Sequence, residues 1–299
     1  MSDTAKRIVL FLGITFVVTY VLEIFVMGIS ALGVVIFIPL GAMIVTRIAT
    51  GEGFEDMWVR PRFKTNLRYY ILSWILPILF ILAGTVLYFV LFPAKFDQNL
   101  GYMAELYKAQ GVDADAATLQ SIMSTQLIVA LLISPLINAI SCAFEEWGWR
   151  GYLLPKLTEI MKPIWAVLLS GLIHGLWFLP LVCLGYNYGV GYAGFPYLGI
   201  AAMCVFIVAI SVFLSYVTYR TRSFLPAALA RGAINAFASI GLYYLYASSE
   251  IEPFIGPAPT GIIGGAAFII AAVVFAMLII KRTKSGKLIR PMEDEKSAA

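Results

Sequence analysis

The stretch AFEEWGWRGYLLPKL, residues 143–157, sets two adjacent carboxylates, Glu145 and Glu146, just ahead of a cation, Arg150. Glu146 and Arg150 are four residues apart, on one helical face, in the acid-first order that favours an ion pair. The two glutamates lie about 100° apart around a helix, so one can pair with Arg150 while the other faces a cavity. The single histidine, His174, and a second pair four residues apart, Arg231 and Asn235, complete the set. Carboxylate and imidazole are the side chains of general acid–base chemistry. Guanidinium and amide groups are hydrogen-bond donors, and at this spacing both point at one spot.

These residues matter because of where they sit. QLIVALLISPLINAISC, which precedes the glutamates, is apolar enough to live in a bilayer. A charged side chain there costs at least ~2.5–3.5 kcal/mol on insertion scales, so it needs a partner or a task. The full set of such residues is Glu23, Asn138, Glu145, Glu146, His174, Arg231 and Asn235. By a rise of ~1.5 Å per residue, His174 lies roughly 16 Å into its segment, and Arg231 and Asn235 about 10–18 Å into theirs. Glu145 and Glu146 fall at a similar depth if their helix continues to Pro155. Singly, each has a structural reading: a solvated helix end with a local salt bridge, a satisfied core histidine, an interhelical amide bond, a buried Arg–Glu pair. Jointly, at one level on three segments, they point to a water-accessible polar cavity. Glu145, His174 and Asn235 are expected to face it, with the opening toward the cytoplasm. Glu23 has no partner at its depth and reads as structural.

The elements that must position these groups are legible in composition. Of 299 residues, 61% are hydrophobic and 13% charged, about half the charged share of a soluble domain, and the mean hydropathy is +0.89. Apolar windows long enough to cross ~30 Å of hydrocarbon fall at 8–28, 30–48, 69–93, 122–146, 163–184, 197–219, 224–246 and 260–280. The expected fold is all-α: a polytopic membrane helix bundle of about eight transmembrane helices, forming a single integral membrane domain over 1–299. Gly33, Pro39 and Gly41 interrupt the second window. The first lacks a cleavage signature and reads as a retained span. Residues 49–68, with Phe54, Trp58 and Phe63, read as an interfacial segment, 94–121 as an outer loop or short helix, and about 283–299 as a disordered cytoplasmic tail.

Charge orients the bundle. With the N-terminus inside, the outer loops hold only Lys95 and Lys108, and Arg231 lies within a span. The other eighteen of the 21 basic residues are on the inner side, so both termini are expected in the cytoplasm. The basic residues are scattered, and the net charge of +4 does not suggest nucleic acid. Cys142, Cys183 and Cys204 lie in or beside apolar segments. Disulfides are not expected, and one histidine leaves little for a zinc site. No metal or cofactor is expected.

The polar residues also carry a resemblance. EEWGWR resembles the EExxxR signature of the CAAX-protease and bacteriocin-processing family (also called Abi), the glutamate-type intramembrane proteases. SGLIHGLWFLPL is similar to the family's second motif, which supplies a histidine. LPAALARGAINAF is similar to the third, in which a histidine is followed four residues later by asparagine. The likeness covers about residues 122–246. It departs at Arg231, which occupies the third motif's histidine position, at Ser170, where phenylalanine is common, and at Phe178, where some relatives have histidine.

The resemblance implies metal-independent peptide hydrolysis by a water held between a glutamate and a histidine, without a covalent intermediate. Matched to the motifs, Glu145 would be the general base and His174 would hold the water and shuttle the proton. Glu146 would pair with Arg150, and Asn235 with Arg231 would donate to the oxyanion. The implied partner is a membrane-embedded or lipid-anchored peptide or protein tail, in the lipid bilayer of a prokaryotic plasma membrane. The alternative is a catalytically impaired member, with Arg231 pairing Glu145, acting as a scaffold, peptide-binding or immunity protein.

Overall fold

The computed structural model describes residues 2–289. Its helices are α1 (Asp3–Val21), α2 (Leu32–Val35), α3 (Ile38–Ala49), α4 (Phe63–Leu91), α5 (Gly101–Ala109), α6 (Ala116–Leu132), α7 (Ser134–Glu146), α8 (Leu154–Ile160), α9 (Pro163–Trp177), α10 (Leu179–Cys183), α11 (Tyr197–Thr221), α12 (Leu225–Phe237) and α13 (Ala266–Lys284). Extended pairing among the described residues is confined to the isolated bridges Phe96–Leu245 and Glu252–Gly256. Prolines open the first turns of α3, α7, α8, α9, α10 and α12, where a missing N–H costs no hydrogen bond. Large apolar side chains cover the exterior, with Val90, Ile140 and Ile270 each about two-thirds exposed. In water such a surface would be a liability; in lipid it is the expected one.

Five helical stretches are long and apolar enough to cross a membrane: Asp3–Val35, Phe63–Leu91, Tyr197–Thr221, Leu225–Tyr244 and Ala266–Lys284. Ala116–Leu132 and Ser134–Ile160 make a sixth if counted together, bent by 52°. The expected count of eight is therefore not reached on length. The bend falls where Pro135 withholds its N–H. The 30–48 window breaks into α2 and α3, and α3 has only 12 residues, about 18 Å at ~1.5 Å per residue. Pro163–Trp177 is likewise a shorter apolar helix. In the tail, α13 continues to Lys284 and Leu288 is buried; the expectation for residues 290–299 lies outside the described residues. Cys142, Cys183 and Cys204 are free.

Close helix approach occurs beside the polar residues. A Cβ on Gly232 of α12 would lie 2.4 Å from the Pro135 carbonyl oxygen of α7, and one on Gly175 of α9 would lie 2.8 Å from the Cys204 Cα of α11. Small residues at such crossings let backbones meet. Here they draw in their neighbours Arg231 and His174.

The two ends of the bundle differ. At one end Asp97 N donates to Tyr244 O and Tyr102 N to Leu245 O. Lys95 pairs with Glu252 at 3.0 Å, and Tyr188 stacks on Phe254. The 94–121, 184–196 and 239–265 segments thus form one cap. At the other end Arg222 binds Asp56, Phe224 N donates to Trp58 O, and Arg220 donates to the carbonyls of Lys287 and Leu288. Among the described residues, Arg7, Arg47, Lys156, Arg220 and Arg222 make their contacts at this end.

Glu52 holds the basic end together. It lies 2.7 Å from Lys156 Nζ, 3.7 Å from both Arg7 and Arg47, and accepts from Tyr152 Oη at 3.0 Å. Burial alone would push its carboxyl up, but the Lys156 hydrogen bond and the Arg47 and Lys156 charges outweigh burial and hold it below the usual carboxylate range. A depressed carboxyl stabilises the fold above its unfolded value, about 4.3, and that contribution fades as pH falls below it. Glu52→Gln should lower the thermal midpoint at pH 7, with the gap to the unmodified protein closing below about pH 4. A gap unchanged at pH 3 would refute the ionic account.

Candidate active site

Glu145 and Glu146 end α7, and the chain then widens into a π-helical turn over Trp147–Leu153 that carries Arg150. Such turns recur at functional sites because they re-aim side chains. Gly148 lets this turn pack against α3: a Cβ there would stand 2.5 Å from the Pro39 side chain. Arg150 nonetheless reaches back to Glu146 at 3.1 Å, with both side chains fully buried. The four-residue pairing survives the change of helix type.

His174, from α9, meets Glu145 at 2.6 Å through Nε2. Arg231, from α12, donates from Nη2 to the same oxygen, Glu145 Oε1, at 2.8 Å. Its Nε lies 3.6 Å from Glu146 Oε1, too far for a hydrogen bond. Three segments therefore converge on one carboxylate, as the depth estimate required.

The tautomer of His174 follows from its other nitrogen. Arg150 Nη1 lies 2.8 Å from His174 Nδ1. Arginine has no acceptor, so Nδ1 must accept and carries no proton. The imidazole proton is then on Nε2 and is donated to Glu145. Arg150 also donates from Nη2 to Ser211 Oγ at 2.6 Å, and that hydroxyl donates to Ile207 O. Trp149 stacks on His174 with centroids 4.9 Å apart and Phe178 at 5.6 Å. The ring is held at both edges and by stacking neighbours.

Sequence reasoning did not find Trp149, Phe178 and Ser211 as part of this shell. A tryptophan or phenylalanine in an apolar run has nothing to set it apart from lipid-facing neighbours. Ser211 satisfies itself on the carbonyl four residues back. Of the expected residues, Glu145, Glu146, His174, Arg231 and Arg150 come together. Asn235 does not touch the carboxylates: its Nδ2 is 3.5 Å from Cys142 Sγ. Asn138 donates to Gly232 O at 3.3 Å and joins α7 to α12. Glu23 is buried in the π-helical turn Leu22–Met27, and neither of its oxygens has a hydrogen-bond partner among the described residues.

Arg231 and Asn235 border a cavity of about 320 Å³, lined also by Phe178, Tyr186, Met203 and Phe206 and by residues 251–260 of the cap. Its lining includes the cap and no residue of the basic end, and Glu145 and His174, which were expected to face it, do not border it. At the basic end Trp147 stacks on Phe224 with centroids 5.0 Å apart. Loop packing decides this, and the sequence carries no signal of it.

Ligand atoms of Glu145, Glu146 and His174 lie within 4.8 Å of one another, as a metal site would need. The arrangement does not suit a dication. Two guanidiniums already balance the two carboxylates, and neither imidazole nitrogen offers a free lone pair.

Residues 124–237 match a family described as type II CAAX prenyl endopeptidase Rce1-like. Over this segment the chain is similar to that family. It spans a little over a third of the chain, runs from α6 to the last residue of α12, and includes every residue of the cluster. Among curated proteins no match is found. The family core supplies the two glutamates, Arg150, His174 and the α12 pair, while the cap that bounds the cavity lies largely outside it.

Proposed function

We propose that the protein is an intramembrane endopeptidase that hydrolyses a peptide bond in a membrane-associated peptide or protein tail. The observation that carries this reading is the 2.6 Å contact between Glu145 and His174 inside a CAAX-protease core. Glu145 takes a proton from water, and the hydroxide attacks the peptide carbonyl. The carbon–nitrogen bond then breaks, and the proton passes to the leaving amine. His174, with its proton on Nε2, holds the water by donation and shuttles the proton. Asn235 and Arg231 face the cavity side and donate to the oxyanion. Glu146 pairs with Arg150 and keeps that cation in place.

Eight crossings fit this reading if α3 and α9 cross as short helices beside the six longer spans. The whole of 1–299 then forms one integral domain. Basic residues at one end support a cytoplasmic position for both termini, in a membrane of prokaryotic plasma-membrane type. In that orientation the cap that helps line the cavity lies on the outer side.

A second reading rests on one distance. Arg231 is 2.8 Å from Glu145, and an ion-paired carboxylate is a poor base, so the chain could serve as a silent peptide-binding member. A bridging water also requires Glu145 and His174 to part to about 5 Å, the span of two hydrogen bonds meeting at a bent angle. One assay separates the readings. The unmodified chain and Arg231→His are compared in liposomes on C-terminally amidated, membrane-anchored peptides, in ¹⁸O-water with and without chelator. The expected result is one ¹⁸O in the new carboxyl, no chelator effect, and faster turnover by Arg231→His. Robust cleavage lost on Arg231→His would show arginine to be the oxyanion donor. No cleavage by either form of a peptide shown to bind would leave the silent reading.

A further inference from the structure

The cavity beside the cluster has an uneven chemistry. Among the described residues Arg231 is the only charged one lining it; the other polar groups there, such as Asn187, Asn235 and Thr260, are neutral. The Arg231 side chain is 8% exposed, so the guanidinium is buried except toward that space. Nη2 is committed to Glu145, Nε is buried without a hydrogen bond, and no hydrogen bond from Nη1 is found among the described residues. A planar donor fork with an unused edge, at the wall of an otherwise neutral and largely apolar cavity, matches a carboxylate. The volume of about 320 Å³ is at the small end for ligand sites, which suits a peptide end rather than a whole lipid.

We infer that Arg231 is the receptor for a peptide α-carboxylate bound in this cavity, and that its occupation releases Glu145. The two events are linked because they compete for one guanidinium. An entering carboxylate makes three anions around two cations, so Glu145 and the ligand cannot both keep full pairing. The ligand takes the edge that carries Nη1, Nη2 stays turned toward the reacting centre as the oxyanion donor, and Glu145 is freed to accept a proton from water. An anion on the free edge lies roughly 7 Å from Glu145, about two extended residues at ~3.5 Å each. The chemistry would then fall near a chain end. Two sources can supply the group: the substrate's own C-terminus, or the carboxylate newly made by hydrolysis. Only this choice of source rests on the hydrolytic reading.

The test is direct binding. A short apolar peptide is prepared as free acid and as C-terminal amide, and each is titrated into the purified chain in detergent by thermophoresis. The acid should bind about ten- to a hundredfold more tightly, the value of one or two charge-assisted bonds. Glu145→Gln removes the competitor and should tighten the acid further while leaving the amide unchanged. Arg231→Gln should erase the preference, and Arg231→Lys, which keeps charge without the fork, should reduce it. Equal affinity for acid and amide, or a preference that survives Arg231→Gln, would overturn the proposal. A preserved preference without any cleavage would refute hydrolysis but support the receptor. Where cleavage occurs, both sources support the receptor. A KM raised by amidation identifies the substrate's own end, and inhibition by the free-acid N-terminal fragment identifies the product.

Discussion

Glu145→Gln is expected to reduce peptide hydrolysis by about a hundred- to ten-thousandfold, the usual worth of a general base, with little loss of folded protein. The two glutamates are adjacent in sequence, yet their surroundings separate their roles. Glu145 meets the only histidine of the chain and an arginine that also faces the cavity. A neutral amide of the same shape can still accept from Arg231, which also keeps Glu146 at 3.6 Å and borders the cavity, so this guanidinium is not left without an acid and the packing should hold. Neither glutamate borders the cavity itself, but Glu146 is fully buried against Arg150, whereas Glu145 is joined to the cavity wall through Arg231. Glu146→Gln should therefore show chiefly as a lower thermal midpoint, because it strips a buried guanidinium of its acid. The check is a pair of measurements on each variant: turnover on one cleavable peptide, and thermal unfolding in detergent. If Glu146→Gln abolishes turnover while Glu145→Gln retains it at normal stability, the roles are reversed and the assignment of Glu145 as base fails.

Much of this arrangement could be read before any coordinates, because a membrane makes polar residues conspicuous. Each charge in an apolar window carries a cost that only a partner can offset, and that cost led to Glu145, Glu146, His174 and Arg231 without knowledge of the packing. Helical spacing then gave the Glu146–Arg150 pair correctly, even though the helix there turned out to be π rather than α. What stayed hidden was orientation among apolar residues. In a soluble helix the buried face contrasts with a polar one. In a lipid-exposed helix both faces are apolar, so Trp149 and Phe178 gave no hint that they pack against His174. Asn235 borders the cavity as expected, yet its contact with Cys142 was hidden for a related reason. Four-residue spacing puts it on the same side as Arg231, but a short amide does not reach as far as a guanidinium, and it meets Cys142 instead. The count of eight is not reached on helix length because hydropathy windows ignore helix breaks. An apolar run is not a continuous helix when Pro135 bends it or when 28–37 coils through 3₁₀ and α turns.

Arg150→Met is expected to destabilise the protein by about 3–5 kcal/mol and, separately, to change the protonation pattern of His174. Arg150 is fully buried and serves three partners in one plane: Glu146, His174 Nδ1 and Ser211. Removing it leaves Glu146 inside the bundle with Arg231 Nε at 3.6 Å as its nearest cation, which accounts for the stability loss. A drop on the order of 10 °C in the unfolding midpoint would correspond to it. Lysine should not rescue the function, since one ammonium cannot reproduce a planar fork. A purely structural Arg150 would predict that relieving the orphaned acid restores everything. The double change Arg150→Met with Glu146→Gln tests this, because it removes the uncompensated charge along with its partner. Stability should largely return in that background, whereas turnover should not, because nothing then fixes the imidazole. His174 is the only histidine in the chain, so ¹⁵N-histidine labelling reports on it alone. The unmodified protein should show a protonated Nε2 and an unprotonated Nδ1, and the Arg150 variants a mixture of tautomers. A protonated Nδ1 in the unmodified protein would mean that Arg150 does not donate to it, and the positioning role assigned to this arginine would fall.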